Sequence, residues 1–168
     1  PAGTYKVSSP IRLDTDAARV VVRGDGYNVT RLFCAATNGP ALDIAARNPK
    51  AEMAVRDLSL WAVATAIPAA VSVVGPDRGS AAKGGPRVEL KSLEIQASPA
   101  DWSVPDRDKR PEDWRYFLDS AIVRRAGDAL ISNVVQVGPR MGLRRRAMMT
   151  TGTLEQLTPV CPSSFNVA

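Results

Sequence analysis

Histidine is absent from this chain, which removes the commonest general base near neutral pH and the commonest metal ligand. Cysteine is nearly absent: Cys34 and Cys161 stand alone, too few for a disulfide framework or a thiolate metal site. Cys34 lies in the strand-like burst Leu32-Phe33-Cys34-Ala35 and reads as a small buried hydrophobe. Aromatic residues make up only 5% of the chain, so Ala, Val and Leu must fill the core, and such side chains suit a narrow, layered interior. Long apolar runs are missing too. A bilayer span needs about 20 apolar residues, and the longest candidate, 60–74, is mostly Ala and Val and contains Pro68. No membrane span is therefore expected. The chain opens at Pro1 on a turn-like motif, without the basic and apolar segments of a signal peptide. It reads as a processed or partial piece of a longer protein.

What is present is ordinary in bulk. At 168 residues, with 45% hydrophobic and 23% charged residues, the chain is long enough for one domain with a real core. The net charge of +5 would favour an acidic partner. Its densest focus is Arg144-Arg145-Arg146, where no aromatic residues interleave as single-stranded nucleic acid would require. The surplus arginine is read as solvated surface, and no nucleic-acid partner is expected.

Patterning carries more information. In 1–45 the apolar residues come in short bursts, Val20/Val22, Val29/Leu32 and Leu42/Ile44, separated by Gly, Asp, Asn or Pro. Period-2 alternation of this kind marks strands with one buried face. Further on, Met53-x-Val55-x-Asp57-Leu58-x-Leu60 is nearly repeated as Val88-x-Leu90-x-Ser92-Leu93-x-Ile95, and again as Ala129-x-Ile131-x-Asn133-Val134. A break in alternation at a small polar residue lets a strand bend while both flanks keep their apolar residues inward. Three copies predict stacked repeats, each covering its neighbour's apolar edge. In the third copy Gln136 falls where Leu60 and Ile95 stand, and the register is expected to fail beyond Val134. The segment 70–74 is a weaker candidate for an additional coil. In 114–123, Tyr116, Leu118 and Ala121 are placed on one side. The polar segments 75–86 and 98–113 read as insertions, and 138–168 as an irregular C-terminal cap or junction in which a short helix over 143–149 is an option.

The opening also has a familiar wording. Pro1-Ala2-Gly3-Thr4-Tyr5, then Ser8-Ser9-Pro10-Ile11, then Val22-Arg23-Gly24-Asp25-Gly26 with Thr30 and Leu32, resembles the first coils of the pectate-lyase-like right-handed parallel β-helix superfamily. That superfamily includes polysaccharide-degrading enzymes and bacteriophage tailspikes. The resemblance covers 1–45, and the repeats extend the case to about residue 137. The expected fold is all-β: a short right-handed parallel β-helix over 1–137, with long inserted loops. A β-sandwich is the alternative. At roughly 20–25 residues per coil the chain has room for about five to seven, few for an enzymatic groove. The resemblance thus implies a structural, host-recognising segment of a phage or phage-like particle: a tailspike, tail fibre or head fibre. Such a segment would be extracellular on the virion, a homotrimer in contact with other virion proteins, and would bind bacterial surface polysaccharide. The alternative it implies is a polysaccharide lyase or glycoside hydrolase.

The candidate glycan contacts are Trp102, Asp106, Asp108, Asp113, Trp114 and Tyr116, where aromatic faces would stack on sugar rings and carboxylates would bond hydroxyls. Hydrolysis needs two carboxyl groups at a set separation, and Asp101, Glu112 and Asp119 complete the acidic set of this region. For lyase chemistry, Arg47, Lys50 and Arg56 neighbour Asp43, Glu52 and Asp57 in sequence without forming one compact acidic cluster. No catalytic residue, metal or cofactor is assigned. Gly24-Asp25-Gly26 lacks the following helix and Lys-Ser/Thr pair of a phosphate loop and reads as a tight turn.

Overall fold

The computed structural model describes residues 1–77, 84–99, 114–137, 142–146 and 151–159. Among these there are thirteen strands and no helix: β1 (Gly3–Val7), β2 (Ile11–Thr15), β3 (Arg19–Arg23), β4 (Thr30–Cys34), β5 (Leu42–Ala46), β6 (Glu52–Ala62), β7 (Ile67–Val74), β8 (Arg87–Pro99), β9 (Trp114–Arg115), β10 (Phe117–Arg124), β11 (Asp128–Val137), β12 (Gly142–Arg146) and β13 (Thr151–Pro159). Pairing is parallel throughout except between β8 and β9. Parallel neighbours require a crossover between them, so the hairpin-built sandwich is excluded. The chain alternates between two sheets, one ordered β1-β4-β6-β8-β11-β13 with β3 also on β6, the other β12-β10-β7-β5-β2.

Register resolves the larger sheet into two rows. Val20, Met53, Val88 and Ala129 lie side by side in one row, and Leu32, Leu60, Ile95 and Gln136 in the other. β6, β8 and β11 each run through both rows and turn the corner at Asp57, Ser92 and Asn133, whose φ angles are 58°, 51° and 50°. These left-handed conformations suit short polar residues that can bond locally. Asn133 Nδ2 donates to Ser92 Oγ at 3.2 Å. The bend resets the alternation, so Val55 and Leu58 are both buried on β6, and Leu90 and Leu93 on β8. Nearer the N-terminus the same path is cut into β3 and β4 by the loop 24–29. Gly24 takes the place of the bend residue, its N–H donating to Arg56 O at 3.1 Å.

The core lies between the two sheets. Leu42, Val71 and Ala121 form one buried inward row of the smaller sheet, and Ile44, Val73 and Val123 another. β7 is thus a full member of the stack. Arg47 donates through Nε to Asp14 Oδ1 at 2.6 Å, tying β2 to the end of β5. That bond holds the Asp14 carboxyl below its ordinary pKa, and its contribution is lost as pH falls through that lowered value.

Several expectations are corrected. Val29 is exposed in the loop, because β4 begins at Thr30. On β10 the inward set is Phe117, Asp119, Ala121 and Val123, in register with Ile67, Ala69, Val71 and Val73, while Leu118 faces out. Register does not fail at Gln136: β11 stays paired with β8 through Val137. Backbone pairing is indifferent to side-chain polarity, so Gln136 is carried inward and buried, with Nε2 lacking a partner. In the stretch read as irregular, 142–146 is a strand rather than a helix and pairs with β10, and β13 pairs with β11.

Cys34 is fully buried, and burial pushes its thiol from an ordinary 9.0 up to about 12. In a Cys161→Ser background, native protein at pH 8 is expected to leave a thiol-reactive disulfide reagent unreacted until denaturant is added, because the thiolate is the reactive form. The folded pKa is the higher one, so stability should fall as pH rises from about 9 toward 12. Rapid labelling without denaturant would contradict the placement of Cys34.

Candidate functional site

Of the six residues singled out by sequence, Trp102, Asp106, Asp108 and Asp113 lie outside the described residues. Trp114 opens β9, which pairs with the end of β8 through Ser98–Arg115 and Pro99–Trp114. Both Trp114 and Tyr116 are half-buried and pack against the core. Tyr116 O accepts from Ile67 N at 3.0 Å, and Arg115 Nη1 donates to Thr65 Oγ1 at 3.0 Å. Asp101 and Glu112 are also outside the described residues, and Asp119 is buried in the inward row of β10.

A different cluster is assembled on the outer face of the row formed by β4, β6 and β8. Alternation sends Leu32 and Cys34 toward the interior, so Arg31 and Phe33 point outward; Leu60 and Ala62 do the same for Ser59 and Trp61. Register places Arg31, Ser59 and Glu94 in one line and Lys6, Phe33, Trp61 and Gln96 in the next. The Phe33 and Trp61 rings stack with centroids 5.5 Å apart and planes inclined by 29°. The Arg31 guanidinium carbon lies 5.9 Å from the Trp61 ring centroid, within cation–π range.

The polar half of the cluster is built around Ser59. Its Oγ donates to Glu94 Oε2 at 2.7 Å and accepts from Asn28 N at 2.8 Å. This second bond fastens the 24–29 loop over β6, with Asn28 in a left-handed conformation (φ 67°) and Tyr27 exposed beside it. Arg31 makes no ion pair among the described residues, and its Nε is buried without a hydrogen-bond partner. The surface therefore offers an aromatic face, the half-buried Arg31 guanidinium and a positioned carboxylate.

Sequence reasoning missed Phe33 and Trp61 because it took 32–35 as a strand-like burst, placing only Cys34, and read Trp61 as part of the apolar run 60–74. The signal was there in the parity. An aromatic residue flanked on both sides by inward residues of one strand must point outward. Among the described residues no group of three or more Cys, Asp or Glu side chains is placed to hold a metal. No protein-family model, curated protein or solved structure matches this chain.

Proposed function

We propose that the chain is a right-handed parallel β-helix segment of a tailspike, tail fibre or head fibre of a phage or phage-like particle. It assembles as a homotrimer alongside other virion proteins, and binds bacterial surface polysaccharide through its outer face. The observation that carries the reading is the Phe33–Trp61–Arg31 arrangement, an outward aromatic stack flanked by donor and acceptor groups. Stacking an apolar sugar face on aromatic rings while charged groups bond its hydroxyls is how a rigid surface recognises a neutral or acidic glycan. Right-handedness is supported by the strong preference of parallel strand–crossover–strand units for that hand. Binding without cleavage is favoured because, among the described residues, this cluster carries one carboxylate, Glu94, already engaged by Ser59, whereas glycoside hydrolysis uses two.

The test is mass in solution by light scattering, with and without bacterial surface polysaccharide, with released reducing ends and unsaturated sugar both assayed. A three-chain mass that binds polysaccharide and releases neither product supports the proposal. A monomer that cleaves overturns it in favour of a lyase or hydrolase.

A further inference from the structure

Across the Asp57 bend from Trp61, the outer face of the other row carries a groove of about 190 Å³. Val21, Ala54 and Glu89 lie in register across β3, β6 and β8, with Leu130 of β11 next to Glu89. The single methyl of Ala54 between longer side chains leaves the depression, floored by Val21, Ala54 and Leu130 and walled by Arg56 and Glu89.

The charges around it divide into two kinds. At the rim, Arg19 pairs with Glu52 at 3.8 Å and Arg87 with Asp128 at 3.9 Å. Within the groove, Arg56 and Glu89 make no ion pair or side-chain hydrogen bond among the described residues, and Arg56 Nε is buried with no partner. An unmet buried donor costs about 1–3 kcal/mol. Its in-register neighbours Arg23 and Lys91 are both cationic, so they supply no acceptor. The Arg56 guanidinium lines the groove, where an acceptor entering from outside can meet it.

The remaining lining defines what that acceptor belongs to. A small oxyanion would meet Arg56 but be repelled by the Glu89 carboxylate in the same groove. A neutral ring carrying hydroxyls meets both, accepting from Arg56 and donating to Glu89, while its C–H face rests on the apolar floor. The volume suits one such ring. We propose that this groove is a monosaccharide subsite, binding one pyranose ring of the polysaccharide through Arg56 and Glu89. The assignment rests on the glycan-binding reading and adds a second contact on the same strand, β6.

The test follows the Arg56 Nε–Hε resonance by NMR as glucose, galactose, mannose and N-acetylglucosamine are added separately. The expected result is a saturable shift with at least one sugar, lost in Ala54→Leu, which fills the groove and keeps the Arg56 side chain. Glu89→Gln should weaken that sugar roughly tenfold. No shift with any sugar up to about 100 mM, far above a millimolar Kd, would overturn the subsite. So would an unchanged shift in Ala54→Leu, or inorganic phosphate acting at lower concentration than every sugar. Trp61→Ala separates the two sites: it should diminish polysaccharide binding and leave the Arg56 response to monosaccharide intact. A wild-type protein that shows the Arg56 shift yet retains no polysaccharide would sink the polysaccharide reading and leave the groove as a monosaccharide site.

Discussion

Gly24→Ala is expected to lower the unfolding free energy by roughly 3 kcal/mol or more, at the upper end of what overpacking costs. A Cβ at this position would lie 2.3 Å from the Asp57 carbonyl oxygen, 2.7 Å from Thr30 Cβ and 2.9 Å from Leu58 Cβ. None of these is the far end of a flexible side chain, so relief requires prising β3 and β4 from β6. That movement would break the Gly24 N–Arg56 O bond at 3.1 Å and the Gly26 N–Asp57 O bond at 2.9 Å. Urea unfolding followed by circular dichroism reads the effect as a lower midpoint at unchanged slope. A midpoint equal to wild type would mean that Gly24 does not sit against the bend at Asp57.

Leu60→Ala is expected to cost about 3–4 kcal/mol, in the range for a fully buried leucine whose neighbours cannot close the gap. Leu60 is 0% exposed and lies between Leu32 and Ile95 in a row fixed by backbone pairing on both sides. Collapse around the deleted methyl groups would break ladder bonds. The same row supplies the opposite result. Gln136 continues it beyond Ile95 with a buried, unpartnered amide nitrogen, so Gln136→Leu should raise stability by about 1 kcal/mol. Paired urea titrations check both signs. Stabilisation by Leu60→Ala or marked destabilisation by Gln136→Leu would contradict the stacking order.

Both predictions rest on a feature that the sequence displays openly. Asp57, Ser92 and Asn133 interrupt three alternating runs at equivalent places, because a corner between two rows needs a residue tolerant of left-handed φ while the apolar residues on both sides stay inward. The β3–β4 path hides the same corner. There the six-residue loop 24–29, opening on Gly24, replaces the single bend residue, so β3 and β4 look like unrelated bursts. Alternation on β10 is blurred by Asp119 and Ser120, both buried polar residues, and Phe117 rather than Leu118 then leads the inward face. Register is set by pairing with β7, a property of the neighbouring strand that no local window contains. The outward platform suffered the reverse problem. Phe33 and Trp61 are hydrophobic enough to be counted as core, and only strict parity with Leu32, Cys34, Leu60 and Ala62 sends them out. That Phe33 and Trp61 meet face to face depends on a register spanning about thirty residues of chain between β4 and β6, a separation that loop-closure entropy leaves unspecified locally.

Bacterial surface polysaccharide is proposed to contact the outer face of the larger sheet at Trp61. The most direct measurement is indole fluorescence of a Trp102→Phe/Trp114→Phe variant, in which Trp61 is the sole tryptophan of the three in the chain. A saturable change in emission is expected as polysaccharide is added, over the same concentrations at which light scattering reports binding. Polysaccharide that binds while Trp61 emission stays constant would contradict it, as would the absence of any binding.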